Sequence, residues 1–320
     1  MLALKINRKM GSAMKLSKKL FLIITIVVLM GSMRLIFAFT STVIHNEKNN
    51  INILNETKKL EPNSSKIILT PEESNKLTVS DSLKIEEKID ESVSAFEVYN
   101  GKIPILMYHS VSYEKGNILR VSKENFRVQM KYLKDNNYTT LTIDELYSYM
   151  QTGRLLPKKP IVITFDDGYK DNYTNAYPIL KEFGLKATVF IITSTIDVEK
   201  DFLTSNEIKI MDSNNIRIES HTVAHEKLDK TSYKDSIKTL TTSKVKLEKI
   251  LNRKINYIAY PYGVYNENTI KAVKESGYKL AFSTEFGFID KNNNIYSLGR
   301  IFVNSNFTLE QFKAKLIYKK

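Results

Sequence analysis

Two adjacent carboxylates and two histidines four residues apart are the parts of this sequence best suited to chemistry. Asp166 and Asp167 end the uncharged start of the run IVITFDDGYKDN, residues 161 to 172. Adjacent carboxylates repel, and each prefers water. The pair is therefore either a solvated turn, where Asp and Gly are common, or a site where a cation offsets the repulsion. His221 and His225, in ESHTVAHEKL, lie on one side if their segment coils into a helical turn. With an Asp oxygen from a neighbouring strand they make a two-histidine, one-carboxylate set. Such a set leaves coordination positions open for water and substrate, as metal-assisted hydrolysis requires. Two further stretches read both ways. AYPYG, 259 to 263, is either part of a site or a β-turn with Pro in its favoured position. His109, at the end of IPILMYHSV, is either a site residue or a core histidine.

The elements that must place these residues are legible in the hydrophobic pattern. Short apolar runs predict strands from 103 to His109 and at 161–165, 187–192, 216–220, 257–260, 280–283 and 298–303. Helices are expected at 122–136, where Phe126, Met130 and Leu133 share one face, and after the capping box of Thr142 and Glu145. Further helices are expected at 172–183, stopped by Gly184, and at 204–213, 233–251, 267–276 and 309–316. Strands alternating with helices predict right-handed βα units and a mostly parallel sheet, open or closed into a barrel. In such folds the active site gathers at the C-terminal ends of the strands, which is where Asp166, His221, Pro261 and His109 fall.

The composition narrows the setting. The 320 residues carry a net charge of +13 and no cysteine, so disulfides and thiolate nucleophiles are excluded, and any metal must be held by His, Asp or Glu. There are four histidines, and His45 lies in a stretch without other chemistry. Residues 1–39 hold seven basic and no acidic side chains, 40–99 seven basic against eleven acidic, and 100–320 the remaining +10. A basic domain suits an anionic polymer or surface, but no basic run is interleaved with aromatics, so no nucleic-acid partner is expected. Lys15, Lys18 and Lys19 precede an apolar run, which predicts a short cytoplasmic basic segment at 1–19 and a membrane anchor or signal peptide at 20–39. The N-terminus would lie inside and the bulk outside, anchored or secreted. Residues 40–99 read as a flexible extracytoplasmic linker and 100–320 as the catalytic domain, with a monomer expected.

TFDDG at 164–168, HTVAH at 221–225 and the later Pro261-Tyr262 resemble the first three motifs of the polysaccharide deacetylases, the NodB-homology group or carbohydrate esterase family four. The resemblance covers roughly 103–320. It implies an irregular (β/α)7 barrel and hydrolysis of N-acetyl groups on an N-acetylglucosamine polysaccharide. It also implies one divalent ion, with Zn favoured and Co or Ni accepted by the same ligands. Carried over by position, Asp166 is the general base, and Asp167, His221 and His225 are the metal ligands. Tyr262 is the residue whose backbone N–H holds the oxyanion.

The chain departs from the family pattern at three places. The Arg that opens the third motif and orients the base is replaced by Ala259, so Asp166 must be positioned by something else. The Trp of the fourth motif has no counterpart, since the chain contains none. The Leu-x-His that supplies the general acid is met by Leu298-Gly299-Arg300, without a His. Either the site is dead or its acid comes from elsewhere. His109 is the histidine left in the domain, and an acid at that early strand resembles the poly-β-1,6-N-acetylglucosamine deacetylase branch. The alternatives are a peptidoglycan N-acetylglucosamine deacetylase and a non-catalytic glycan-binding barrel. The four intact motif residues argue against the latter.

Overall fold

The computed structural model describes residues 96, 97, 99 and 101–318. The segment expected at 20–39 and most of the stretch read as a linker lie outside the described residues. Among the described residues, no helix is long and apolar enough to cross a membrane. The chain runs β1 (Phe96–Glu97), β2 (Ile103–Tyr108), α1 (Lys123–Asp135), β3 (Thr139–Thr140), α2 (Ile143–Thr152), β4 (Leu156–Pro157) and β5 (Pro160–Phe165). It continues through α3 (Tyr177–Phe183), β6 (Ala187–Ile191), α4 (Ser205–Asp212), β7 (Ile216–Ser220), α5 (Tyr233–Leu251) and β8 (Tyr257–Ala259). Then follow α6 (Glu267–Glu275), β9 (Leu280–Phe286), β10 (Phe288–Ile289), β11 (Leu298–Phe302) and α7 (Leu309–Lys315). β1, inside the stretch read as a linker, pairs antiparallel with β4.

Seven of these strands close into a parallel barrel. β5, β6, β7, β8 and β9 are neighbours in sequence order, β11 follows β9, and β2 joins β11 to β5. The register aligns Tyr108 with Phe165, so the residues after them, His109 and Asp166, leave adjacent strand ends. The barrel is irregular because no helix intervenes between β9 and β11, while β10 runs antiparallel against the start of β2.

Both faces of the barrel strands are buried, which is why their sequences read as continuous apolar runs. With period-two alternation, Ile105, Val162, Phe190, Ala259, Phe282 and Leu298 fill the interior and pack with Leu146, Tyr149 and Met150 of α2. Leu106, Ile163, Val189, Ile218 and Ile258 face outward against α1, α3, α4 and α5 through Met130, Ile179, Ile208 and Leu247. Each such side chain contributes about 1.5–3 kcal/mol on burial. The helix starts are set locally. Thr142 and Glu145 form the expected capping box, and Thr204–Glu207 and Thr308–Gln311 form two more.

One expected helix is not a single helix. Residues 172–183 open as a π-helix, Asn172–Ala176, and only then tighten into α3. Pro178 sits in the first turn of α3 and has no N–H for the carbonyl four residues back, and the Tyr177 amide reaches Asn172 instead. Gly184 ends the helix at φ 66°, as its sequence position predicts.

Candidate active site

The tip of β5 delivers Asp166 into the barrel mouth and then bends sharply. Asp166 continues the inward-facing set of Val162 and Thr164, and its amide donates to the Tyr108 carbonyl at 2.9 Å. Asp167 takes φ 74° and Gly168 φ 82°, and a Cβ on Gly168 would meet Ile191 Cγ1 at 3.1 Å. This left-handed bend turns the second carboxylate back toward the mouth instead of outward under the helices. Outside the site, the described non-glycine residues with positive φ are all Asn or Asp. At the mouth they are Asp167, Thr222, His225 and Tyr262. Two of these four, Thr222 and Tyr262, are types that rarely adopt the conformation, so the surroundings impose it.

Asp166 is gripped by an arginine. The buried Arg300 donates from Nη1 to Asp166 Oδ1 at 2.7 Å and from Nη2 to Oδ2 at 2.6 Å. The guanidinium is itself fixed by Nε to the Ser283 carbonyl at 2.9 Å and Nη1 to Thr164 Oγ1 at 3.1 Å. Burial alone would push the Asp166 carboxyl up, but the Arg300 and His221 charges outweigh it and bring it down to about 2. Asp166 is therefore ionised at neutral pH, the state a proton acceptor needs.

Beside it lies a compact ligand set. Asp167 Oδ1 stands 3.4 Å from Nε2 of both His221 and His225, and one ligand atom from each of the three residues lies within 4.8 Å of the others. His221 Nδ1 donates to the Ala259 carbonyl at 2.7 Å, which leaves Nε2 free to act as a ligand. His225 reaches the same place through a turn with Thr222 at φ 67° and itself at φ 58°, not through the helical turn its spacing predicted. Burial raises Asp167 and lowers His221, but their mutual contact reverses both directions, leaving Asp167 below and His221 above its ordinary value. Burial and the neighbouring His221 hold His225 below its ordinary value. Asp167 Oδ1 is buried with no hydrogen-bond partner. Two imidazole nitrogens and a carboxylate oxygen converging around such an orphaned atom fit a divalent ion.

The remaining expected residues ring this centre. His109, at the end of β2, is close enough to Asp166, Asp167, Arg300 and His221 to feel their charges. Burial lowers its pKa, opposed by the two carboxylates. Its Nδ1 is buried without a partner, and the Phe302 ring meets it edge-on at 6.1 Å. After β8, the turn Pro261–Gly263 places Tyr262 at φ 60° with its ring 4.4 Å from that of His225. Gly263 is required there, because a Cβ would sit 2.0 Å from Thr284 Oγ1 and 2.5 Å from the Thr284 amide nitrogen.

Comparison with known proteins agrees with this geometry. The polysaccharide deacetylase family profile matches residues 154–281. The protein YxkH of Bacillus subtilis (strain 168), named as a polysaccharide deacetylase, is 37% identical over 233 residues, 72% of this chain and 82% of its own length. The chain belongs to the polysaccharide deacetylase family. The poly-β-1,6-N-acetyl-D-glucosamine N-deacetylase of Staphylococcus aureus is 34% identical over 201 residues, 58% of this deacetylase and 68% of that protein. The structure of the Streptococcus pyogenes deacetylase PplD in complex with acetate superimposes with a TM-score of 0.65 at 33% identity, covering 68% of this chain and all but 1% of that one (99%). The barrel expected from the sequence is the fold of this deacetylase.

The structure brings Asp166, Asp167, His221, His225, His109 and Tyr262 to one mouth. Sequence reasoning left the partner of Asp166 open and passed over Arg300, noting only that it is not a histidine. The signal was present: an Arg at an inward position of the apolar run LGRIFV needs a buried carboxylate opposite it. Ala259, read as a lost arginine, contributes its carbonyl to orient His221.

Proposed function

We propose that this deacetylase is a metal-dependent N-deacetylase of an N-acetylglucosamine polymer, with poly-β-1,6-N-acetylglucosamine as substrate. The observation that carries the reading is the Asp167–His221–His225 cluster beside an ionised, arginine-held Asp166. A divalent ion bound by those three side chains, Zn before Co or Ni, supplies Lewis acidity and lowers the pKa of water. Asp166 takes a proton from the attacking water as its oxygen bonds to the acetamide carbon. The Tyr262 backbone N–H holds the developing oxyanion. His109 gives a proton to the departing nitrogen as the C–N bond breaks, because an amide anion is a very poor leaving group. Acetate and a sugar amine result. Burial lowers the proton affinity of His109, and the neighbouring Asp166 and Asp167 carboxylates oppose this.

Two observations support the substrate choice: a histidine at the end of β2, and 34% identity to the staphylococcal enzyme named for that polymer. Acetate release from poly-β-1,6-N-acetylglucosamine oligomers and from peptidoglycan fragments, each with and without chelator, tests it. Faster chelator-sensitive release from the oligomers is expected; faster release from peptidoglycan would move the assignment to the cell wall. An extracytoplasmic location, anchored or secreted through residues 20–39, belongs to the same proposal and rests on the lysine-flanked apolar run. Protease added to intact cells should digest the domain, and full protection in cells shown to be accessible would reverse the topology.

A further inference from the structure

The last residues of IVITFDDGYKDN take no part in the chemistry above, yet they hold the backbone that carries His109. Asp171 Oδ1 accepts from the Val111 amide at 2.7 Å, and Oδ2 accepts from the Ser110 hydroxyl at 2.6 Å. Asn172 Nδ2 donates to the His109 carbonyl at 2.8 Å, and Asn175 Nδ2 donates to the Val111 carbonyl at 2.9 Å. The π-helix explains how one short segment reaches so far round. Its wider turn, opened ahead of Pro178, brings Asp171, Asn172 and Asn175 to the side facing residues 109–111.

Asn172 is buried, and its Oδ1 has no partner. A vacant buried acceptor costs about 1–3 kcal/mol, so this residue is a poor choice for packing alone. Its Nδ2 bond to His109 is what the position offers in return. The His109 ring, by contrast, has no such support of its own, since Nδ1 is unpartnered. The imidazole is therefore aimed through its backbone and by packing, not by a hydrogen bond to the ring.

We propose that Asp171, Asn172 and Asn175 are positioning residues for the proton donor, acting through the 109–111 backbone. The inference rests on the reading of His109 as the acid. It makes the single segment 166–175 responsible for both proton transfers: Asp166 at its start accepts, and its end sets where the donor stands. A misplaced donor slows the step in which the amide C–N bond breaks and nitrogen takes the imidazolium proton. It does not slow departure of a phenolate, which leaves without a proton.

The test uses the full chain loaded with its metal and compares turnover of an N-acetylglucosamine oligomer with turnover of an aryl acetate ester. The readout is the ratio of amide to ester turnover. Asn172→Ala should lower this ratio about 10- to 100-fold, the scale of a misplaced catalytic group, with metal content unchanged. Asn175→Ala should lower it less, and decides the matter alone if Asn172→Ala does not fold. In a His109→Ala background, neither substitution should lower the ratio further, because the residue they position is gone. A wild-type ratio in both variants, or the same drop with and without His109, overturns the proposal. A wild-type ratio in His109→Ala itself overturns the acid reading, a different failure from that of the clamp.

Discussion

The barrel buries charge at two levels of its interior; the lower is fully partnered, while the upper pairs Asp166 with Arg300 but keeps polar atoms without partners. Below the mouth, on the same face of β7 as His221, lie Glu219 and Arg217. Glu219 is fully buried, and both its oxygens are used. Oε1 accepts from Arg217 Nε at 2.9 Å and Arg253 Nη1 at 3.1 Å; Oε2 accepts from the Asn256 and Tyr257 amides, each at 2.9 Å. Asp144 of α2 takes the Tyr257 hydroxyl at 2.5 Å and faces Arg217 at 3.4 Å, and Asp212 holds Arg253. At the mouth, Asp167 Oδ1 and His109 Nδ1 are as well buried and have no partner. Saturated charge below ties strands and helices together, whereas the mouth gathers the Asp167, His221 and His225 atoms that could hold a metal ion. The two levels therefore separate structure from function within one barrel.

The separation breaks if a ligand substitution at the mouth unfolds the protein, or if a substitution below stops catalysis. The largest effect is expected in Asp166→Asn, which should lose about 10²–10⁴-fold in acetate release, the usual worth of a positioned base, with metal content retained. Wild-type turnover would remove Asp166 from the chemistry. His109→Ala should fall in the same range and keep its metal. Below the mouth, Glu219→Gln should lower stability by about 1–3 kcal/mol, because buried bonds from Arg217, Arg253 and two backbone amides lose their shared carboxylate. Turnover per folded molecule should stay near wild type. Denaturant midpoints and specific activity, read on the same sample, check both halves of that statement.

Much of this comparison was legible in the sequence, and the reasons for the rest are physical. Short continuous apolar runs and capping boxes such as Thr142–Glu145 located the strands and helices, because those signals are local. Asp166, Asp167, His221 and His225 announced themselves as polar residues at strand ends. The pairing of Asp166 with Arg300 did not, since it joins residues 134 positions apart across the barrel. The π-helix was hidden because Asn172 to Phe183 carries a continuous helical pattern, and only the missing N–H of Pro178 widens it. Likewise, the turn that brings His225 to Asp167 depends on positive φ at Thr222 and His225, a conformation that β-branched Thr strongly disfavours.

The smallest effect expected concerns acid. Asp166 has an ordinary value of 3.8 and a folded value of about 2, so its ionised form stabilises the fold. The contribution is fully present above the ordinary value and is lost as pH falls through the folded one. It amounts to about 2 kcal/mol. Unfolding free energy should therefore drop by about that amount more in the wild type than in Asp166→Asn between pH 4 and pH 2, since the other lowered carboxylates, Asp167 among them, titrate in both. An identical acid profile in the two proteins would show that Arg300 does not hold Asp166 as described.

The central claim is that the unsaturated mouth is a metal site, and metal content measures it directly. The protein purified from metal-supplemented medium should carry one equivalent of a divalent ion. His225→Ala should remain folded and lose that ion, together with acetate release, while Glu219→Gln keeps both. Full metal occupancy in His225→Ala, or turnover by metal-free wild type, would contradict the account.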